Sequence, residues 1–174
     1  MPIDRPGPLT TDLLARRCYN FGVRVVRKVC ACVVRQGGGG PEVLVFDHPS
    51  AGTHLPKGTL EPNENATDGV LRELAEETGV VSVDLVAQFG RWVRFAGAGP
   101  DEKGAMERHE WELFLLRPTS ALPTSWTHAA VGSAEELGKM FRCRWVMLED
   151  DLSAQLHPLF APVIGMLQKV VCGP

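Results

Sequence analysis

The chain has 174 residues, 44% of them hydrophobic and 22% charged, with a formal net charge of −3. That is enough apolar material for one globular core and too much for a disordered or fibrous chain. The mild acidity argues against a duplex nucleic-acid binder, and no apolar run approaches the ~20 residues of a membrane span.

The opening MPIDRPGPLTTD lacks the apolar stretch of a signal peptide. Residues 1–20 are expected to form an extended arm, and 21–174 a single domain without a linker or repeat. VVRKVCACVV, residues 25–34, is β-branched and mostly apolar, as in a central strand. The basic residues of this third (Arg16, Arg17, Arg24, Arg27, Lys28, Arg35) read as a solvated strand face rather than a phosphate patch. QGGGG at 36–40 predicts a hairpin tip, EVLVF at 42–46 the returning strand, and 47–62 a loop carrying HLPKG. Cys18, Cys30, Cys32, Cys143 and Cys172 show no metal-ligand spacing and no even-numbered disulfide framework, which predicts buried free thiols and a reducing, cytoplasmic location.

A helix comes next. Asn65, with Asp68 three residues on, is placed to cap its start, and Gly79 supplies the left-handed position at its end. Glu73, Glu76 and Glu77 stand at i, i+3 and i+4, so three carboxylates share one face, while Leu71, Leu74, Ala75 and Thr78 fall on the opposite side to pack on a sheet. Like charges at that spacing cost a helix roughly 0.2–0.5 kcal/mol per pair. The glutamate face is therefore expected to look into a solvated cleft, where a hard divalent cation would turn repulsion into coordination. Gly69, inside the helix, suggests close helix–sheet packing.

Beyond the helix, residues 83–95 alternate as a long strand, 97–106 form a loop, and HEWELFLL at 109–116 is a further strand. Its Trp111, Leu113 and Leu115 share one face, and Glu110, Glu112 and Phe114 the other. Residues 118–139 read as irregular with one helical turn at SAEELGKM, RCRWVML at 142–148 as a strand, and 153–171 as a closing helix whose first turns Pro158 and Pro162 interrupt. Helices interspersed with strands predict an α/β or α+β sandwich with a mixed sheet between helices.

Residues 58–80 match the pattern G-x5-E-x7-R-E-U-x-E-E-x-G-U (U, bulky aliphatic) through Gly58, Glu64, Arg72, Glu73, Leu74, Glu76, Glu77, Gly79 and Val80. A chance match in a chain this long has odds on the order of one in ten million. The segment resembles the Nudix box of the Nudix hydrolases, and the layout is similar over most of the chain. The resemblance implies an α/β/α sandwich and a hydrolase that breaks a pyrophosphate bond in a nucleoside diphosphate linked to another moiety, with Mg²⁺ or Mn²⁺ as cofactor. The substrate is then a small nucleotide or organic pyrophosphate, and homodimers are frequent in such families.

By the same resemblance Glu76 and Glu77 are metal ligands, together with the backbone carbonyl of Lys57. Glu73 binds a second metal or activates water, the base remaining open between it and an acid outside the box. Arg72 aims the helix carboxylates. Gly58 lets the loop approach the metal, and Glu64 ties loop to helix. The Lys57 side chain can reach a phosphate, and Glu112 and Glu110 rank ahead of Glu107 as acids outside the box. Trp92, Trp111, Trp126, Trp145, Tyr19 and Phe21 are available for base stacking, although a strand tryptophan is more often core. Thr53 stands where relatives often place a stacking tryptophan. The tyrosine that dinucleoside polyphosphate hydrolases carry after the box is absent, residues 96–98 being Ala-Gly-Ala. The LPKG loop, however, is shared with dinucleoside polyphosphate and inositol pyrophosphate hydrolases, which are the alternative. A non-catalytic nucleotide-binding module is expected to lose box glutamates, and this chain keeps all of them.

Overall fold

The computed structural model describes residues 23–97, 106–148 and 152–173. The arm expected over 1–20, Tyr19, Phe21, Cys18 and most of the 97–106 loop lie outside them. In chain order the elements are β1 (Arg24–Gln36), β2 (Pro41–His48), β3 (Gly52–His54), β4 (Lys57–Thr59), α1 (Ala66–Thr78), β5 (Val83–Ala96), β6 (Glu107–Pro118), β7 (Ser125–Ala129), β8 (Met140–Met147) and α2 (Ala161–Val171). The strands form one sheet in the order β5-β6-β1-β2-β8-β7, with β3 alongside β2 and β4 alongside β1. The β1–β6 pair is parallel and the other pairs are antiparallel. The sheet is therefore mixed, as expected.

Alternation along β1 explains why both faces are covered. Val29, Ala31 and Val33 pack with Val70 and Leu74 of α1, whereas Cys30, Cys32 and Val34 pack with Val163, Ile164 and Leu167 of α2. A helix on each side of the sheet gives the α/β/α sandwich, α+β in class. The thiols of Cys30, Cys32 and Cys143 are buried as expected, but Cys172 is exposed at the end of α2.

Three expectations need correction. The 47–62 loop contains β3 and β4, each three residues long and too short to show alternation. The 118–139 stretch contains β7, a short edge strand beside β8 in which half-buried Trp126 and His128 alternate with exposed residues and Trp126 packs against the core. The closing helix starts only at Ala161, after single 3₁₀ turns at Leu152–Ala154 and Pro158–Phe160. Proline at the first positions of a helix lacks only an N–H that has no partner there, which is why Pro162 is accommodated. The turn at SAEELGKM is present: the Ser133 carbonyl accepts from the Leu137 N–H at 2.9 Å.

Helix α1 is delimited by its caps. The Asn65 side chain accepts from the Asp68 N–H at 2.9 Å, and Gly79 adopts φ 74° while its N–H reaches the Ala75 carbonyl. Gly69 packs against the loop before the helix and not against the sheet. A Cβ there would lie 2.2 Å from Leu60 Cδ2 and 3.0 Å from Glu64 Oε2. Removing the cap in Asn65→Ala is expected to cost about 1 kcal/mol of stability, read as a lower urea midpoint at unchanged slope.

Candidate active site

The sheet opens where β1 leaves β2. The two strands pair only over Val34–Gln36 and Pro41–Val43, after which β2 continues along β8 and β4 takes the free edge of β1. That exchange brings Lys57, Gly58 and Thr59 against α1. Gly58 is required there, since a Cβ would sit 1.8–1.9 Å from the three carboxylate atoms of Glu73. The close approach expected of Gly58 thus makes room for a side chain of the helix.

Glu73, Glu76 and Glu77 line one cavity of about 500 Å³. Arg72 organises two of them, donating to Glu73 at 2.9 Å and Glu76 at 3.1 Å. The same guanidinium makes two 2.8 Å bonds to Glu64 and reaches the Thr59 carbonyl at 3.2 Å. Glu64 also accepts from the Glu61 N–H at 2.9 Å, so this box position does join loop to helix. The hydrogen bonds of Arg72 hold the Glu64 carboxyl down at about 2, and the same partners raise Arg72 above the usual arginine range.

Glu77 departs from expectation. It is 3% exposed, not solvated, and its carboxylate accepts from the Lys57 N–H at 2.7 Å. β4 covers it from one side, and the Val131–Glu136 loop closes the same cavity. Burial raises its pKa well above the usual carboxylate range despite the charge of Lys57. Burial likewise raises Glu73, against the pull of Arg72.

The helix end carrying these acids is anchored by β7 and by the loop between β7 and β8. Trp126 Nε1 donates to the Thr78 carbonyl at 2.8 Å, and the Val131 N–H to the Glu76 carbonyl at 3.1 Å. Two helix-terminal carbonyls without intrahelical partners are thereby satisfied. Gly132, at φ 120°, gives passage to Glu76, whose Oε2 would be 2.5 Å from a Cβ.

Glu110 and Glu112 are not brought to this cavity. Glu112 pairs with Arg27 at 3.1 Å and accepts from Gln88 at 3.0 Å, and Glu110 pairs with Arg108 at 3.0 Å, both beside a separate recess. Glu107 pairs with Arg24 and His109. Glu61, inside the box, also lines the cavity, and the acids outside the box that do so are Glu135 and Glu136. The last two lie in a turn whose approach to α1 depends on β7, so nothing local in SAEELGKM marks them. Trp111 is core and Trp92 packs beside it, while Trp145 carries the Arg35 guanidinium 4.1 Å above its ring. Thr53 is committed to Asp47, donating to it at 2.7 Å.

A divalent cation fits the donor set, which consists of hard carboxylate oxygens, one of them buried at a clear electrostatic cost. Among the described residues no three acids already surround a common point, and Arg72 holds Glu73 and Glu76.

This fold and acidic cavity are those of a known class. The model of the NUDIX domain family matches residues 25–164, and the chain belongs to that family. An RNA pyrophosphohydrolase of Bradyrhizobium sp. (strain ORS 278) is 26% identical over 162 residues, 91% of this chain and 92% of that protein. Among solved structures, an Ap4A hydrolase of C. elegans aligns with TM-score 0.53 at 19% identity, over 85% of this chain and 97% of that one. The NUDIX domain of Shewanella oneidensis NrtR, complexed with ADP ribose, aligns with TM-score 0.57 at 15% identity, over 94% and 99%. At these identities the structural likenesses speak for the fold. With its complete box the chain is an enzyme of the Nudix pyrophosphohydrolase class.

Burial of Glu77 has a consequence for stability. A carboxyl whose folded pKa is raised contributes stability below its unfolded pKa and loses it as pH rises through the folded value. Without added metal, wild-type melting temperature should therefore fall as pH rises above the usual glutamate range more steeply than that of Glu77→Gln, whose amide oxygen can still accept from Lys57. Parallel melting curves of the two above that range would show that Glu77 carries no such cost.

Proposed function

We propose that the chain is a metal-dependent hydrolase that cleaves a pyrophosphate bond in a nucleoside diphosphate linked to another moiety. The observation that carries this reading is the buried Glu77 carboxylate sharing one cavity with Glu73 and Glu76. A buried carboxylate without a cation destabilises the fold, whereas one that ligates a metal is useful.

In this reading Glu76 and Glu77, with the Lys57 carbonyl, hold Mg²⁺ or Mn²⁺, and Glu73 serves a second ion or the attacking water. When bound there, such a cation would supply charge neutralisation at the phosphate oxygens and a lowered pKa for water. The protein's own groups do the rest. Arg72 fixes Glu73 and Glu76 on the helix, and its bonds to Glu64 hold the loop–helix junction that positions Gly58. Glu73 is the box candidate for the base, and burial raises its carboxyl above the usual value against the pull of Arg72. Attack by water on one phosphorus forms a P–O bond as the bridging P–O bond breaks. The charge then leaves on the departing phosphate.

The alternative substrate is a dinucleoside polyphosphate. The LPKG loop favours it, and inositol pyrophosphates share that argument.

A panel of nucleotide pyrophosphates assayed with Mg²⁺ or Mn²⁺ tests the reading. The expected result is metal-dependent release of a nucleoside monophosphate from at least one substrate. Glu77→Gln should lower kcat by at least about a hundredfold while keeping a cooperative melting transition. Tight nucleotide binding without turnover on any substrate would identify a binding module instead.

A further inference from the structure

Both core clusters stop short of one corner of the sheet. Val25, Val93 and Phe95 belong to neither, although the strands that carry them are fully paired there. Phe95 is 59% exposed and Val25 51%, and Val93, Val23 and Met106 are exposed as well.

The strand register gathers these side chains in one place. Val25 of β1 stands opposite Arg108 of β6, which stands opposite Phe95 of β5. One row further along, Arg27, Glu110 and Val93 are aligned in the same way. Alternation puts both rows on the face where Val29, Ala31 and Val33 are buried with α1. Val23 and Met106, two residues before Val25 and Arg108, extend the patch at the strand ends. Single apolar residues on a surface are ordinary, but a contiguous patch across three strands marks a seat for something else.

The chain enters the described structure at this corner. Residues 1–22 run directly into Val23 and contain Leu13, Leu14, Tyr19 and Phe21. Crossing from β1 to β5 takes about 10 Å, two inter-strand spacings. Residues 13–21 span up to roughly 30 Å when extended. A segment tethered so closely acts at an effective concentration of about a millimolar, well above that of a second copy in dilute solution. Residues 98–105, which join β5 to β6, contain nothing apolar larger than proline and offer no comparable cover.

We propose that residues 13–21 dock back on this corner, with Leu13, Leu14 and Phe21 covering Val25, Val93 and Phe95. The seat adjoins the box. The Leu60 N–H donates to the Arg27 carbonyl at 3.0 Å, and Thr59 and Glu61, on either side of Leu60, line the carboxylate cavity. A segment seated there lies beside that cavity.

Hydroxyl-radical oxidation of the full chain, read by mass spectrometry at Phe95 and Met106, tests the proposal. Both should be oxidised several-fold more slowly in the wild type than in the triple variant Leu13→Ser/Leu14→Ser/Phe21→Ser. Leu137, exposed in the turn between β7 and β8, should react equally in the two. In the reciprocal measurement, Phe95→Ser should speed oxidation of Phe21 and Tyr19, and it decides the matter if the triple variant does not melt cooperatively. Equal rates at Phe95 in the wild type and a folded triple variant overturn the proposal, as do unchanged rates at Phe21 and Tyr19 in Phe95→Ser. Protection of Phe95 that grows with protein concentration, alongside dimers in sedimentation, also overturns it, because a second copy would then be the cover.

Discussion

The guanidinium of Arg72 joins the loop, the helix and the cavity. Its five donors meet Glu64 twice, Glu73, Glu76 and the Thr59 carbonyl, so that one planar group links the start of the box to the helix glutamates. A lysine could not replace it, since a single ammonium has three donors and no fixed fork. The arrangement also offsets a local conflict. Glu73, Glu76 and Glu77 repel one another on one helix face, and the last helical turn contains no basic residue to relieve them. Arg72 neutralises two of the three while leaving Glu77 to the Lys57 N–H.

The remaining tension is concentrated where chemistry is expected. Glu77 is buried and its pKa is raised, and Gly58 and Gly132 are spaces that carboxylates occupy. None of these features helps the chain to fold. In the function proposed above, a divalent cation would relieve the acids. Sites that violate the ordinary rules of stability while the rest of the sequence obeys them are where function is expected to lie.

Much of this was legible in the sequence because it is local. The caps Asn65 and Gly79, the shared face of the glutamates and the two-faced packing of β1 all derive from spacing over a few residues. The features that were not legible depend on distant pairings. β4 is three residues long and exists because β1 and β2 diverge, and its arrival is what buries Glu77. Glu135 and Glu136 reach the cavity because β7 anchors the end of α1, whereas Glu110 and Glu112 are spent on neighbouring cations.

Whether the glutamate cavity holds a divalent cation can be measured without any substrate. Mn²⁺ titrated at about pH 8, with the free ion followed by its electron paramagnetic resonance signal, should bind the wild type. Affinity should fall at least about tenfold in Glu77→Gln and stay unchanged in Glu112→Gln, whose carboxylate lies at another recess. Unchanged Mn²⁺ affinity in Glu77→Gln would contradict the account, because the buried carboxylate would then have no ligand to justify its burial.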